Sequence, residues 1–174
     1  LPLNYLEKTD VLLANTYHLY LRPGLDVIKE FEGLHNFIGW DNLILTDSGG
    51  FQGWSIPNKF NDDGIEFKNI YDGSKFFMDP ILSMDIQNSL NSDIAMILDS
   101  LVDIDKDYNN QLQSINTTKK WAEIAREYHS NNNQSLFGIV QGGKYLELRE
   151  KSSIDMVSLN FDGYAIGGLA IGET

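Results

Sequence analysis

LILTDSGGFQ, residues 43–52, is an apolar run that ends in an acid, a hydroxyl, two glycines and an aromatic ring. A buried strand with this ending delivers a carboxylate to the lip of a pocket. The glycines let the backbone turn and approach a ligand without an intervening Cβ. Asp47 then supplies one charge and Phe51 one flat surface, which suits a planar, hydrogen-bonding ligand. The same pattern recurs in VLLAN (11–15), IAMILD (94–99), LFGIVQGG (136–143) and GYAIGGLA (163–170). Short apolar runs of this kind read as parallel strands buried on both faces.

Helical spacing separates these runs. It predicts helices over 24–35 after Pro23, over 80–90 behind an Asp79 cap, over 112–129 and over 144–159. One interruption, GIEFKNI–YDGS–KFFM at 64–78, reads as an inserted β-hairpin turning at Asp72-Gly73. Repeated βα units suit a (β/α)8 TIM barrel or an open doubly wound sheet. The barrel is favoured because five separate strands each end in a candidate contact, whereas an open sheet gathers its contacts at one switch point. A barrel needs eight strands and typically about 250 residues. The expectation is therefore an α/β fold forming one partial barrel domain across residues 1–174, with about five βα units and an inserted hairpin.

Composition narrows the class. The 174 residues are 42% hydrophobic, enough for a sizeable core. With 13 basic and 25 acidic residues the net charge is −12, so the chain lacks the electrostatic footprint of a nucleic-acid-binding domain, and any polyanion has to be held by another region. It has no cysteine, which excludes disulfides and cysteine-based zinc sites within these residues. The opening LPLNYLEKTD has no secretion-signal pattern, and no apolar stretch nears the roughly 20 residues that span a bilayer. A soluble cytoplasmic protein without membrane association is expected.

At the strand ends, Asp47 and Asp99 are the two carboxylates, Gln141 is an amide that donates and accepts, and Gly167-Gly168-Leu169 exposes backbone groups. Such a set can read a purine edge. A carboxylate accepts from the ring N–H and exocyclic amine, an amide and a backbone N–H meet the carbonyl oxygen, and an aromatic ring covers the face for about 1–3 kcal/mol. The second carboxylate is then free for proton transfer. Each residue also has a plainer reading: Asp47 as a turn former, Asp99 as a cap, the Gly pairs as strand-ending turns, and Trp40, Phe51, Trp54 and Trp121 as packing. His18, His35 and His129 show no metal-ligand spacing, and Asp103, Asp105 and Asp107 lack the glycine and closing glutamate of a calcium loop.

Five segments together carry a resemblance: NTYHLYLRPG (15–24), LTDSGGFQ (45–52), YDGSKFFMDPILSMDIQNSLNSDIAMILD (71–99), QSLFGIVQGG (134–143) and FDGYAIGGLAIGE (161–173). In order and spacing they resemble the tRNA-guanine transglycosylase family, also called queuine tRNA-ribosyltransferase. The resemblance implies a (β/α)8 barrel with an inserted zinc subdomain. It also implies exchange of guanine at the tRNA wobble position for a 7-deazaguanine base, in queuosine biosynthesis. By the same resemblance Asp47 is the catalytic acid/base. Ser48, Gly49, Gly50 and Phe51 form the base pocket and its stacking wall, Asp99 reads the Watson–Crick edge, and Gln141, Gly168 and Leu169 meet the base carbonyl. The implied partners are the tRNA anticodon stem-loop and a guanine or 7-deazaguanine base. A homodimer or heterodimer is expected of the full-length protein.

The family's nucleophilic aspartate, its basic anticodon-binding loops and its zinc ligands match nothing in these residues. The chain is therefore expected to be a fragment of a longer polypeptide, inactive by itself. Two departures bear on substrate: Asp99-Ser100-Leu101 replaces the family's Asp-Glu-Cys, and Ile171 fills a position where a branched side chain favours a small substituent, 7-aminomethyl-7-deazaguanine over queuine. Two other classes stay open. One is a non-catalytic partner subunit of the same family. The other is a barrel glycosidase with Asp47 and Asp99 as its carboxylates, roughly 5 to 9.5 Å apart.

Overall fold

A computed structural model describes residue 6 and residues 8–55 and 58–169, without the side chains of 53–55, 58 and 59. The five apolar runs are strands: β1 (Val11–Ala14), β2 (Leu43–Thr46), β6 (Ile94–Met96), β7 (Ser135–Val140) and β8 (Gly163–Ile166). They pair in parallel in the order β1-β2-β6-β7-β8. Each strand adds beside its predecessor, and the order never reverses. That is the winding of a barrel wall, because a doubly wound sheet has a switch point. Among the described residues the sheet is open, with β1 and β8 as its edges.

Three further strands, β3 (Asn58–Asn61), β4 (Gly64–Lys68) and β5 (Lys75–Met78), form a separate antiparallel sheet. The expected hairpin is thus three-stranded, and β4 meets β5 through residues 69–74 rather than a two-residue turn. Asn69 N–H donates to Ser74 O at 2.7 Å and Gly73 N–H to Asn69 O at 2.9 Å, which closes this longer loop. Ile65, Phe67 and Met78 bury one face of the small sheet against Tyr17, whose ring lies 5.0 Å from that of Phe67.

The helices are α1 (Thr16–Leu21), α2 (Leu25–Glu30), α3 (Leu34–Ile38), α4 (Gly50–Ser55), α5 (Pro80–Leu90), α6 (Tyr108–Tyr128) and α7 (Leu146–Ser158). The expected helix over 24–35 is two helices. Gly33, at φ +125°, breaks it where a Cβ would stand 2.8 Å from the Asn91 side chain and 3.2 Å from Leu90 O, so α3 can approach α5 only at a glycine. Helix α6 begins four residues before the expected Leu112, because Asp107 caps it by accepting from Asn110 N at 2.9 Å. That aspartate is the last of the Asp103, Asp105 and Asp107 cluster. Asp79 caps α5 as expected, 2.7 Å from Leu82 N.

The parallel registers place Ile44, Thr46, Ala95 and Leu136 on one sheet face, and all four are buried under the helix layer. Val11, Leu13, Leu43, Leu45, Met96 and Ile139 share the opposite face, which is the barrel interior. Its β1 end is exposed, with Leu13 at 71%.

Helix α5 ties two strands together through one amide. Gln87 accepts from Thr46 Oγ1 at 3.0 Å and from Met96 N at 2.9 Å, and donates to Met96 O at 2.8 Å. Replacing it with leucine leaves the Met96 carbonyl without the donor that Gln87 supplies, at about 1–3 kcal/mol. Gln87→Leu is therefore expected to destabilise the protein by roughly 1–3 kcal/mol in urea unfolding. A loss under about 1 kcal/mol would show that water replaces the amide.

Candidate active site

Strand alternation continued past the ends of β2 and β7 puts Asp47 and Gln141 on the barrel-interior face, at the carboxyl edge. Asp99 follows β6 and meets both neighbours. Gln141 Nε2 donates to Asp99 Oδ2 at 2.6 Å, and Ser48 Oγ donates to Asp99 Oδ1 at 3.2 Å. Three strand ends, far apart in the chain, converge on one buried carboxylate. The glycines make this convergence possible by their size. A Cβ on Gly50 would stand 2.4 Å from Asp99 Oδ1, and one on Gly167 would stand 2.5 Å from Gln141 Nε2.

Burial pushes the Asp99 carboxyl up to about 6, against the hydrogen bonds from Gln141 and Ser48, which favour its ionised form. The nearby Asp47 charge raises it further. Asp47 is itself raised by burial, an effect opposed by its donors. These are Thr16 N at 3.0 Å, Gly49 N at 3.2 Å and Asn15 Nδ2 at 2.5 Å. Thr16 Oγ1 also donates to the Asp47 carbonyl. Two carboxylates with distinct surroundings suit two roles, one reading donors and one moving protons.

The turn that carries Asp47 is braced from below. Ser83 Oγ of α5 donates to Ser48 O at 3.1 Å, and Ser48 Oγ accepts from Gly50 N at 3.1 Å. A Cβ on Gly49, at φ +83°, would lie 3.1 Å from Met78 Sδ, so the inserted sheet packs directly under the turn. Phe51 is the second residue of α4 and is 49% exposed. Gly168 sits at φ +68° with the Gln141 amide beside it, and Leu169 follows it, half exposed.

Asn15, Thr16, Ser83 and Arg149 were not assigned roles in the sequence, yet they hold the site. Asn15 carried a usable signal, being the polar residue that ends VLLAN as Asp47 ends LILTD. Trp40 and Trp121 are core residues, and the Trp54 side chain and Ile171 lie outside the described residues. His35 bridges Trp40 O at 2.7 Å and Asp93 Oδ2 at 3.0 Å, and His129 pairs with Gln134. Among the described residues no group of three or more His, Cys, Asp or Glu is placed to hold a metal ion, and the chain has no cysteine. A resident zinc does not fit these residues.

The family model described as Queuine tRNA-ribosyltransferase matches residues 2–174. The chain belongs to this family. Among relatives of that name, the protein of Bacillus pumilus is 49% identical over 169 residues, covering 95% of this chain and 44% of its own length. That of Thermotoga petrophila is 48% identical over 165 residues, covering 94% and 45%. That of Oceanobacillus iheyensis is 48% identical over 169 residues, covering 95% and 45%. The chain thus spans just under half the length of these queuine tRNA-ribosyltransferases.

The buried Asp99 has a stability consequence. Between about pH 4 and 6 the folded state keeps a proton that the unfolded state releases, so stability falls as pH rises through that window and stays lower above it. An asparagine keeps the oxygen that Gln141 addresses and removes the charge. The stability advantage of Asp99→Asn over wild type should grow by on the order of 3 kcal/mol from pH 4 to pH 7.5, the free energy of a shift from 3.8 to about 6. Urea unfolding at the two pH values measures it, and an unchanged difference would mean Asp99 is not desolvated.

Proposed function

We propose that the protein of which these residues form part exchanges guanine in tRNA for a 7-deazaguanine base, and that this chain supplies the base-recognition half of the site within one barrel domain. The observation that carries the reading is the Asp99 carboxylate, buried yet aimed at two donors, with Asp47 beside it. Gln141 and Ser48 satisfy that carboxylate in the structure. A guanine offers the same donors through its ring N–H and exocyclic amine, so it takes over Asp99 and frees the Gln141 amide for the base carbonyl. Gly168 N–H, with Leu169 next to it, completes that contact, while Phe51 covers the ring face.

Asp47 gives a proton to the departing guanine and takes one from the incoming base, returning to its starting state. Its burial, which favours the protonated form, suits the first half of this cycle. The nucleophile toward ribose, the tRNA-gripping cations and any zinc belong, in this reading, to residues outside this chain. The net charge of −12 agrees with that division. The small-substituent preference rests on Ile171 alone and favours 7-aminomethyl-7-deazaguanine. Cytoplasmic location and a dimeric full-length protein complete the proposal. No described helix is long and apolar enough to cross a membrane.

Asp47→Asn in the full-length protein should lower incorporation of labelled guanine into tRNA by roughly 10²–10⁴-fold while leaving guanine binding in place. Activity within about threefold of wild type would remove Asp47 from proton transfer. With both 7-deazaguanine bases supplied, 7-aminomethyl-7-deazaguanine should be the one incorporated, and efficient queuine use would overturn that choice.

A further inference from the structure

We infer that Arg149 is a positioning residue that decides which way the Gly167–Gly168 peptide faces, and so whether the base meets a donor or an acceptor there. The inference rests on the base-recognition reading above and deepens it. Arg149 stands on α7, outside the ring of strand ends, and reaches across two loops. Its Nε donates to Gly143 O at 2.8 Å and its Nη1 to Gly167 O at 3.1 Å. The first loop follows Gln141 and the second carries Gly168. One planar, permanently charged group thus staples together the two segments assigned to the base carbonyl.

The consequence follows from peptide geometry. In a trans peptide the carbonyl of one residue and the N–H of the next point in opposite directions. Drawing Gly167 O toward Arg149 turns Gly168 N–H away from it. Gly167 N–H is fixed as well, donating to Val140 O at 2.8 Å. Two successive glycines have little steric resistance to turning the peptide between them, so an external clamp is needed to select one orientation. The reversed orientation would present a carbonyl to the base carbonyl, an acceptor against an acceptor. The loop after Gln141 lies tight against the start of α7, since a Cβ on Gly142 would stand 2.7 Å from Arg149 N and 3.0 Å from Arg149 Cγ. Nη2 is buried without a partner among the described residues, so the guanidinium is committed to these carbonyls rather than to an acidic side chain.

The test uses full-length protein with Arg149→Gln and Arg149→Lys. It reads the KM for guanine, the KM for tRNA, direct guanine binding by fluorescence titration, and the Tm. Losing a correctly aimed donor should raise the KM and Kd for guanine about tenfold in Arg149→Gln, with the KM for tRNA within about twofold of wild type. Arg149→Lys, able to hold one carbonyl but not both, should fall between. Guanine affinity unchanged in a folded variant, equal losses toward guanine and tRNA, or failure of both variants to fold would overturn the inference. A wild-type protein that binds guanine without exchanging it would refute the exchange reaction while the binding arm still decides the role of Arg149. A wild type that does not bind guanine would refute both.

Discussion

A single buried carboxylate organises the candidate site. Asp99 lies where water cannot solvate its charge, so its two oxygens depend on partners from other strands, Ser48 after β2 and Gln141 after β7. Leaving such a group unpaired would cost more than either bond contributes. The convergence of three loops is therefore a condition of keeping the acid. Its raised protonation midpoint reflects the same compromise between burial and readiness to accept hydrogen bonds.

Around that point the chain arranges supports of two kinds. Helix α5 works from the helix layer, where Gln87 satisfies the short strand β6 and Ser83 holds the Ser48 carbonyl. The antiparallel insertion works from the side, with Met78 beneath Gly49 and Tyr17 packed on Phe67. The insertion thus acts as a brace for the Asp47 turn, which would otherwise be a glycine-rich loop with little to hold it. Asn15 and Thr16 complete the turn from β1, so the proton-transfer candidate is gripped by backbone and side-chain donors from a neighbouring strand end.

Much of this was legible in the residues. Five apolar runs ending in polar groups marked the strands and their functional edge, because a strand buried on both faces has to be apolar until it emerges at the rim. The Asp79 cap and Pro80 marked the start of α5. Less legible were features set by contacts across the fold. Gly33 splits a helix because α5 lies against it, and the insertion gains a third strand because residues 58–61 find β4 to pair with. Arg149 reads in sequence as an ordinary surface arginine of a helix, and only the return of β8 beside β7 brings Gly167 O within its reach.

The sequence by itself determined the strand and helix grammar, the acids, amide and glycines at the strand ends, and the family, since these follow from local pattern and composition. Tertiary structure decided which of those groups share one site, how far burial shifts the acids and which residues brace them. Those are properties of distance and desolvation between segments far apart in the sequence, and spacing along a chain does not encode them.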